Sequence, residues 1–463
     1  MASDARTIRR VVLASFIGTT IEWYDFFLYG TAAALVFNRL FFPTVDPLIG
    51  TLSSFGTFAV GFLARPVGGI VFGHFGDRVG RKSMLVYSLV IMGVATFLIG
   101  LLPTYESIGI WAPVLLVVLR TAQGIGVGGE WGGAVLMAVE HAPSNRRGFA
   151  GSWPQMGVPA GLLLSTLVFN LFTTSLTEAQ FLAWGWRVPF LLSVLLVVVG
   201  IFIRLNIVES PAFVEILETR SQVTRPLVVA LRDYRRNVLL AMGMRVAENG
   251  LFYVYTVFVL SYGPGELGLA RSTMLWGVSL AALCGLIAIP SYGALSDRIG
   301  RRPVYLFGAI FSLCYAFPFF WLLETRSTGI VWLAIVIGVA VGHNAMYGPQ
   351  AAYFSELFGA GVRYSGASLG YQLASVLSGA PAPFIATALL ASSGSGAVGA
   401  YMTLLAAVTV LAVYLAPETY RSNFGATDKA PMKPMKPMRT LEGQAAGRVV
   451  SDARPAGKTT LSH

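Results

Sequence analysis

The chain has 463 residues, of which 55% are hydrophobic and only 12% are charged, about half the charged fraction of a soluble domain. Its mean hydropathy of +0.68 exceeds what a soluble core needs and predicts a protein whose solvent is a lipid bilayer. The net charge of +11 does not indicate a nucleic acid partner, because the basic residues cluster in loops on one predicted side.

Twelve apolar runs follow a short basic segment, 1–10, and each is long enough to cross a hydrocarbon core of about 30 Å. The first run is too long for a signal-peptide core and lacks a small-residue cleavage site, so we expect it to be retained. The N-terminal bundle is predicted over 11–207 and the C-terminal bundle over 237–416. The runs are 11–37, 48–73, 83–102, 112–139, 149–175, 187–207, 237–262, 272–293, 303–323, 329–355, 364–391 and 397–416.

Lysine and arginine are distributed unequally between alternate loops. Those on the side opposite the N-terminus contain only Arg39, Arg271 and Arg326. Because basic loops remain in the cytoplasm, we expect both termini there, in a multi-pass protein of a bacterial-type cytoplasmic (inner) membrane.

Two polar segments accompany the bundles. The segment 208–236 is predicted to be a cytoplasmic linker with amphipathic helical content. The segment 417–463 is Pro-rich and of low complexity around 429–438, which predicts a disordered cytoplasmic tail. Cys284 and Cys314 lie in apolar runs without metal-ligand spacing, so we interpret them as packing residues and predict no metal site.

A charged, glycine-bearing motif at 73–82 recurs at 293–302, each time between two apolar runs. Its acid, bases and glycines suit a tight turn whose charges can bind neighbouring helix ends and release them. Ordinary cytoplasmic turns are the alternative. A second repeat, an acid seven residues before an arginine at 140–147 and 356–363, supports a duplicated chain. The predicted cytoplasmic gate comprises Gly73, Asp77, Arg78, Gly80, Arg81, Asp297, Arg298, Arg301, Glu140, Arg147, Glu356 and Arg363.

These paired motifs resemble the signature of the major facilitator superfamily, and the segment 120–128 resembles its fourth-helix motif. The segments 21–27, 128–133 and 147–157 resemble the metabolite:proton symporter branch, which includes bacterial shikimate, α-ketoglutarate, citrate and proline/betaine transporters. The resemblance implies an all-α integral membrane fold of twelve transmembrane helices in two pseudo-symmetric six-helix bundles. It also implies alternating access and inward movement of a solute with a proton.

Ionisable residues within predicted spans are costly to bury, so each is a functional candidate. Glu22 and Asp25 share a helix face, and depths estimated from the span ends place Asp25 level with Arg120, and Glu22 level with Arg65 and Glu130. Since the resemblance implies that their spans are neighbours, we expect an Asp25–Arg120 pair and a Glu22–Arg65–Glu130 cluster. Asp25 is our first choice for the proton carrier, then Glu22, then Glu130. Static ion pairs are the alternative.

A carboxylate substrate requires a cation in the cavity, preferably arginine. Arg245 could instead form a local pair with Glu248, and His343 could be satisfied by a neighbouring helix rather than bind substrate. Amides within spans, such as Gln350, must also find partners. The predicted substrate-binding residues are Arg65, Arg245, His343, Asn344, Tyr24, Trp153, Gln155 and Gln372.

The sequence predicts a carrier and not an enzyme, because it contains no nucleotide-binding loop and no nucleophile–base constellation. We expect a monomeric protein without cofactors that imports a small organic metabolite, a carboxylate, with protons. Three alternatives stay open: an importer of a zwitterionic osmolyte such as proline or betaine, a proton-driven exporter, and a non-transporting membrane sensor of a metabolite.

Overall fold

The computed structural model describes residues 5–79, 81–128, 131–140, 142–205, 226–359 and 362–420. Throughout these ranges the chain is helical and contains no β-strand. The helices of the N-terminal half are α1 (Ala5–Leu35), α2 (Phe37–Leu40), α3 (Pro47–Val79), α4 (Arg81–Leu101), α5 (Tyr105–Ile108), α6 (Trp111–Val127), α7 (Trp131–Glu140), α8 (Arg147–Ser175), α9 (Glu178–Gln180) and α10 (Arg187–Leu205).

The C-terminal half continues the numbering. Its helices are α11 (Pro226–Asp233), α12 (Arg235–Tyr253), α13 (Val259–Glu266), α14 (Arg271–Ile299), α15 (Arg301–Glu324), α16 (Thr328–Ile337), α17 (Asn344–Glu356), α18 (Arg363–Ala374) and α19 (Ala382–Leu415). Short π-helical segments join several of these helices, at Val254–Phe258, Gly338–His343 and Ser375–Gly379. Such segments occur often at functional positions, because they redirect the side chains that follow them.

Each of the twelve predicted spans falls on helical structure within the described residues. Among the described residues, six helical stretches are long and apolar enough to cross a membrane, or seven if the bent pair Glu178–Gly185 and Arg187–Phe202 forms one span. The end of the eleventh predicted span and the twelfth predicted span lie together in α19, which is broken at Gly394 (φ +78°), a left-handed conformation that favours glycine. The count of twelve crossings therefore stays a prediction.

Close helix contacts depend on glycine. A Cβ atom at Gly128 would lie 2.8 Å from the backbone nitrogen of Gly69, so this end of α6 meets α3 at backbone distance. Between the halves, a Cβ at Gly293 in α14 would lie 2.7 Å from the carbonyl oxygen of Gly148 in α8. Gly293 is the first glycine of the second motif copy. Its close contact with α8 explains why that position carries no side chain.

The two halves also meet through an aromatic cluster at the centre of the molecule. Tyr253, at the end of α12, packs edge-on against Phe62 and Phe58 of α3, with ring centroids 5.2 and 5.6 Å apart. The ring of Phe26 in α1 lies 5.1 Å from Phe62 and 5.2 Å from Phe58. Edge-to-face contacts of this kind stabilise an interface beyond the area they bury.

The predicted linker contains α11. Its residues 206–225, and residues 421–463 of the predicted tail, lie outside the described residues.

Candidate functional site

A small closed cavity lies between the two halves. Its volume of about 20 Å³ is enough for roughly one water molecule. Four of the predicted site residues, Glu22, Arg65, Gln155 and Gln372, contribute to its wall. The complete lining is Thr19, Glu22, Trp23, Arg65, Val127, Trp131, Val135, Pro154, Gln155, Tyr347, Tyr371 and Gln372. The cavity is thus a candidate ligand site in a closed state.

A larger recess of about 540 Å³ lies between the loop after α2, α3, and α5–α6. Its wall contains no acidic or basic side chain and is mostly apolar. It therefore offers no group that could recognise a charged metabolite, and we do not assign the functional site to it.

Arg65 is the basic residue among the described residues that line the cavity. Its side chain is buried, and its guanidinium carbon lies 4.4 Å from the ring centroid of Phe26, 4.6 Å from that of Phe62 and 5.3 Å from that of Trp23. The Nε and Nη2 atoms have no hydrogen-bond partner, and Arg65 forms no ion pair with any residue that the structure describes. Aromatic faces stabilise the cation only partly, so its donors are available to an anion.

The expected cluster around Arg65 is only partly visible. Glu22 lines the same cavity, without a direct ion pair to Arg65, and Glu130 lies outside the described residues.

The expected ion pair between Asp25 and Arg120 is absent from this closed state. Arg120 donates from Nη1 to Oε1 of Gln123 (3.0 Å), and Gln123 donates in turn to the Thr96 hydroxyl (2.6 Å). The guanidinium lies 4.2 Å from the ring centroid of Tyr29. Depth along a span predicts the level of a side chain but not the direction in which it points, which is why the two residues share a level without meeting.

Asp25 is completely buried, and neither carboxylate oxygen has a hydrogen-bond partner among the described residues. The nearby Thr96 hydroxyl donates to the carbonyl oxygen of Met92 instead (2.9 Å). An ionised carboxylate without hydrogen-bond partners is very costly in a low-dielectric interior, and protonation of Asp25 would relieve that cost.

The guanidinium of Arg245 has hydrogen-bond partners that Arg65 lacks. It donates from Nη1 to Glu248 (2.8 Å) and to Gln350 (2.9 Å), and Glu248 also contacts Nε2 of His343 (3.1 Å). The other ring nitrogen of His343 contacts Asn344 (2.8 Å). The structure therefore contains the local Arg245–Glu248 pair, and His343 and Asn344 lie in its network and not on the cavity wall.

A stack of three side chains connects this network to the cavity. The guanidinium carbon of Arg245 lies 3.2 Å from the ring centroid of Tyr371, and the indole of Trp131 stacks on the same ring at 3.7 Å. Two groups this close must occupy opposite faces of the ring. Trp131 also donates to Gln155 (3.1 Å), and Gln372 donates to the carbonyl oxygen of Gly128 (3.2 Å). These contacts join the two halves around the cavity.

Two further residues predicted to bind substrate, besides Arg245, His343 and Asn344, do not line the cavity. The Tyr24 hydroxyl donates to the carbonyl oxygen of Pro189 in α10 (2.8 Å), so it holds two helices of the N-terminal half together. Trp153 packs edge-on against Phe149, with centroids 6.1 Å apart. Each residue points away from the cavity because it occupies another face of its helix than Trp23 or Gln155, which do line it.

The predicted gate is visible in its second copy. The Asp297 carboxylate accepts hydrogen bonds from the backbone N–H groups of Gly148 and Phe149, both 2.8 Å, and from Nη1 of Arg301 (2.7 Å). Arg301 also pairs with Glu356 (3.2 Å). Asp297 thus binds the N-terminus of α8 across the interface between halves, where unpaired N–H groups and the helix dipole favour an anion.

Further contacts extend this charge network. Arg363 pairs with Glu140 across the interface (3.5 Å), and Arg147, which begins α8, lies in the field of the same charges. Glu418 accepts from the backbone N–H groups of Arg301 and Arg302, both 3.0 Å. Glu418 therefore caps α15, a role that sequence analysis missed.

The remaining predicted gate residues lie in both copies of the motif. Arg298 is exposed. Gly300, which belongs to the same motif but not to the predicted gate, forms the turn before α15 with φ +107°. In the first copy Gly73, Asp77 and Arg78 lie in α3 and Arg81 begins α4, whereas their side chains and Gly80 are outside the described residues.

At the opposite end of the molecule, Glu178 forms ion pairs with two arginines. Its Oε1 atom accepts from Arg39 of the same half (2.6 Å) and from Arg271 of the other half (3.4 Å). Sequence analysis did not predict this contact, although Arg39 and Arg271 are two of only three basic residues in the loops on that side.

Comparison with known proteins identifies the class. Residues 15–383 match the family model of the Major Facilitator Superfamily, and the chain belongs to this family. It is a membrane transport protein and not an enzyme, as the sequence predicted.

Three bacterial transport proteins are similar to most of this chain. The chain is 46% identical to the shikimate transporter of Escherichia coli K12 over 82% of this chain and 88% of that protein. It is 43% identical to the inner membrane metabolite transport protein YhjE of the same organism, over 89% and 94%. The Escherichia coli K12 proline/betaine transporter is 35% identical, over 88% and 83%.

Solved structures confirm the fold. The proton:xylose symporter XylE bound to a bromodeoxyglucose superposes with a TM-score of 0.71 at 17% identity, covering 90% of this chain and 97% of that chain. The inward open conformation of XylE from E. coli gives a TM-score of 0.67 at 18% identity, with 90% and 98% covered.

Proposed function

We propose that this protein is a secondary transporter that imports a small organic carboxylate together with protons by alternating access. The observation that carries the proposal is Arg65, a buried cation on the cavity wall whose Nε and Nη2 donors have no partner. A guanidinium recognises a carboxylate through two parallel hydrogen bonds. The name of the shikimate transporter, a relative at 46% identity, supports the same substrate class.

Arg245 is a poorer anchor for the substrate. Its donors are already directed at Glu248, Gln350 and Ser375, so a substrate would have to break hydrogen bonds that it could only replace. We therefore assign recognition to Arg65 and give Arg245 the task of holding Tyr371 against the cavity.

Asp25 is the proposed proton carrier. It is buried beside the substrate site, and its carboxylate lacks both a counter-ion and a donor among the described residues. A group whose charge is uncompensated in one state and compensated in another binds a proton in the first and releases it in the second. Arg120, which has two unfilled donor atoms in the same half, is the proposed counter-ion in that other state.

The proposed gates are the contacts that Asp297 and Glu178 make between the two halves at opposite ends of the molecule. Asp297 ties α14 to the N-terminus of α8 at the predicted cytoplasmic end, whereas Glu178 ties Arg271 to the N-terminal half at the other end. We propose that transport alternates between breaking one set of contacts and breaking the other.

A zwitterionic substrate is the second candidate. Glu22 lies on the same cavity wall as Arg65, so the cavity offers an acid for an ammonium group as well as a base for a carboxylate. A relative at 35% identity is a proline/betaine transporter. Competition of shikimate and of betaine for uptake of one labelled solute distinguishes the two candidates.

The test is uptake of a labelled carboxylate into proteoliposomes by Arg65→Gln. We expect its apparent affinity to fall by at least about tenfold, because a charge-assisted hydrogen bond contributes roughly 1.5–3 kcal/mol. Arg232→Gln removes the same charge from the exposed surface of α11 and should leave the affinity unchanged. An unaltered carboxylate affinity in Arg65→Gln would contradict the proposal.

A further inference from the structure

We infer that Phe26 is a positioning residue that couples the substrate site at Arg65 to the proton site at Asp25 and Arg120, an inference that rests on the proposed function. The guanidinium carbons of Arg65 and Arg120 each lie 4.4 Å from the centroid of the Phe26 ring. The two cations are therefore separated by no more than twice that distance.

Phe26 is the one ring that both arginines share within the described part of the chain. Arg65 also contacts Phe62, which does not contact Arg120. Arg120 also contacts Phe58, at 5.0 Å, which does not contact Arg65. The three phenylalanines form one packed cluster, so each has a similar environment and they differ in which cation they touch.

This arrangement joins two like charges through an aromatic ring in place of a counter-ion. Each guanidinium has two nitrogen atoms, Nε and Nη2, without a hydrogen-bond partner, so the electron-rich face of Phe26 is a main source of stabilisation for both. A carboxylate that binds Arg65 cancels one of the two charges. The remaining cation, Arg120, then experiences less repulsion and can approach an anion on its own side.

Asp25 is that anion, because it precedes Phe26 in α1 and has no donor of its own. The charged and titratable groups that face this cluster are Glu22, Tyr24, Asp25 and Tyr29 of α1, Arg65 of α3, Arg120 of α6, Arg245 and Tyr253 of α12, and Tyr371 of α18. The neighbouring α4 contributes the uncharged Thr96. Substrate at Arg65 and proton at Asp25 thereby affect each other through Arg120, and such coupling is reciprocal.

Tyr253 makes the cluster dependent on closure of the two halves. It comes from the C-terminal half, and its ring lies 6.2 Å from Phe26 and 5.2 Å from Phe62. When the halves separate at this level, water enters beside Phe26 and the interaction between the two arginines weakens, because the local dielectric constant rises. Coupling is therefore strongest in the closed state.

The test begins with the wild-type protein in proteoliposomes, where carboxylate uptake and proton uptake are measured together. If no carboxylate drives proton uptake, the proposed function fails, and Phe26 is not at issue. If one does, its affinity is expected to change by at least about fivefold between acidic and alkaline external pH, the lower end of typical coupling.

Phe26→Leu is then expected to transport the carboxylate with an affinity almost independent of pH and with a lower ratio of protons to substrate. Phe62→Leu should weaken substrate affinity and keep the pH dependence, and Phe58→Leu should keep the ratio. Phe26→Tyr retains an aromatic face and should therefore couple protons to the carboxylate as the wild-type protein does. This variant provides the measurement if Phe26→Leu does not fold.

Either of two results would overturn the inference. One is a normal ratio and pH dependence in a folded, transporting Phe26→Leu. The other is the same uncoupling in Phe62→Leu and Phe58→Leu, which would show that any loss of aromatic packing has this effect.

Discussion

At the scale of single residues, the two halves treat buried charge differently. Arg245 and Glu248 of the C-terminal half form a closed network with Gln350 and His343. In the N-terminal half, Asp25 has no hydrogen-bond partner among the described residues, and Arg65 retains unfilled donors. A completed network contributes to a unique structure, whereas incomplete groups are available for ligands, so we assign structure to the first set and chemistry to the second.

The Arg245–Glu248 network predicts that Glu248→Gln lowers the stability of the folded protein. This change leaves the buried Arg245 charge without its counter-ion, and breaking a buried pair destabilises a protein by about 3–5 kcal/mol. We expect a clearly lower unfolding temperature in detergent than for the wild-type protein. Glu266→Gln, at the exposed end of α13, is the matched control and should change stability much less. Equal stability of both variants would show that the Arg245 network is not structural.

At the scale of elements, helix N-termini bind carboxylates, in one case across the interface between the halves and in another within the C-terminal half. The N-terminus of α8 receives Asp297, and the N-terminus of α15 receives Glu418. In both cases a carboxylate satisfies N–H groups that the helix cannot pair internally. Such bonds are strong enough to hold a state and weak enough to break during a transport cycle.

Asp297→Asn tests the contact at α8. It removes a charge that interacts with two backbone N–H groups and Arg301, a loss of about 1 kcal/mol or more at a helix N-terminus. We expect the population open at the predicted cytoplasmic end to rise roughly fivefold, measured as faster labelling of a cysteine placed in the cavity wall. Asp233→Asn, the same change at the exposed end of α11, should label at the wild-type rate. Identical labelling of both variants would argue against a gate at Asp297.

At the scale of the whole molecule, contacts between halves are formed at both ends and the cavity between them holds about 20 Å³. A metabolite of several heavy atoms cannot enter so small a space, so binding requires one end to open. Arg271 and Glu178 are the charged contact between halves at the end opposite the motifs. The Glu178 side chain is exposed, whereas Arg271 is partly buried. An ion pair with an exposed partner contributes little stability, which suits a contact that must break in every cycle.

Cross-linking tests this opening. In a variant without Cys284 and Cys314, Glu178→Cys and Arg271→Cys would be joined by a short reducible thiol cross-linker. We expect cross-linking to stop uptake, because the end opposite the motifs can no longer open, and reduction to restore it. Arg39→Cys with Glu178→Cys, both in the N-terminal half, is the control and should transport after cross-linking. Continued uptake in the first pair would contradict alternating access through this end.

The sequence predicted the fold well because the signals are local. Apolar runs, charge asymmetry and the repeated motif at 73–82 and 293–302 are all readable along the chain, and the family match confirms the resemblance they carry. The site was less predictable. Depth along a helix put Asp25 beside Arg120, yet Phe26 and Tyr29 pack against the guanidinium instead.

Other contacts had no local signal at all. Glu418 lies far along the chain from the helix it caps, and the stack of Arg245, Tyr371 and Trp131 requires three distant helices to meet. Intrahelical pairs at short spacing, such as Arg245–Glu248, were accessible as an alternative because spacing alone places them together.

The most direct test of the central claim is proton flux in liposomes that contain an internal pH dye. The purified protein would be challenged with shikimate, α-ketoglutarate, citrate, aromatic carboxylates, proline and betaine. The account predicts that a carboxylate acidifies the interior and that Asp25→Asn abolishes this acidification. Carboxylate uptake without acidification, or undiminished acidification in Asp25→Asn, would contradict it.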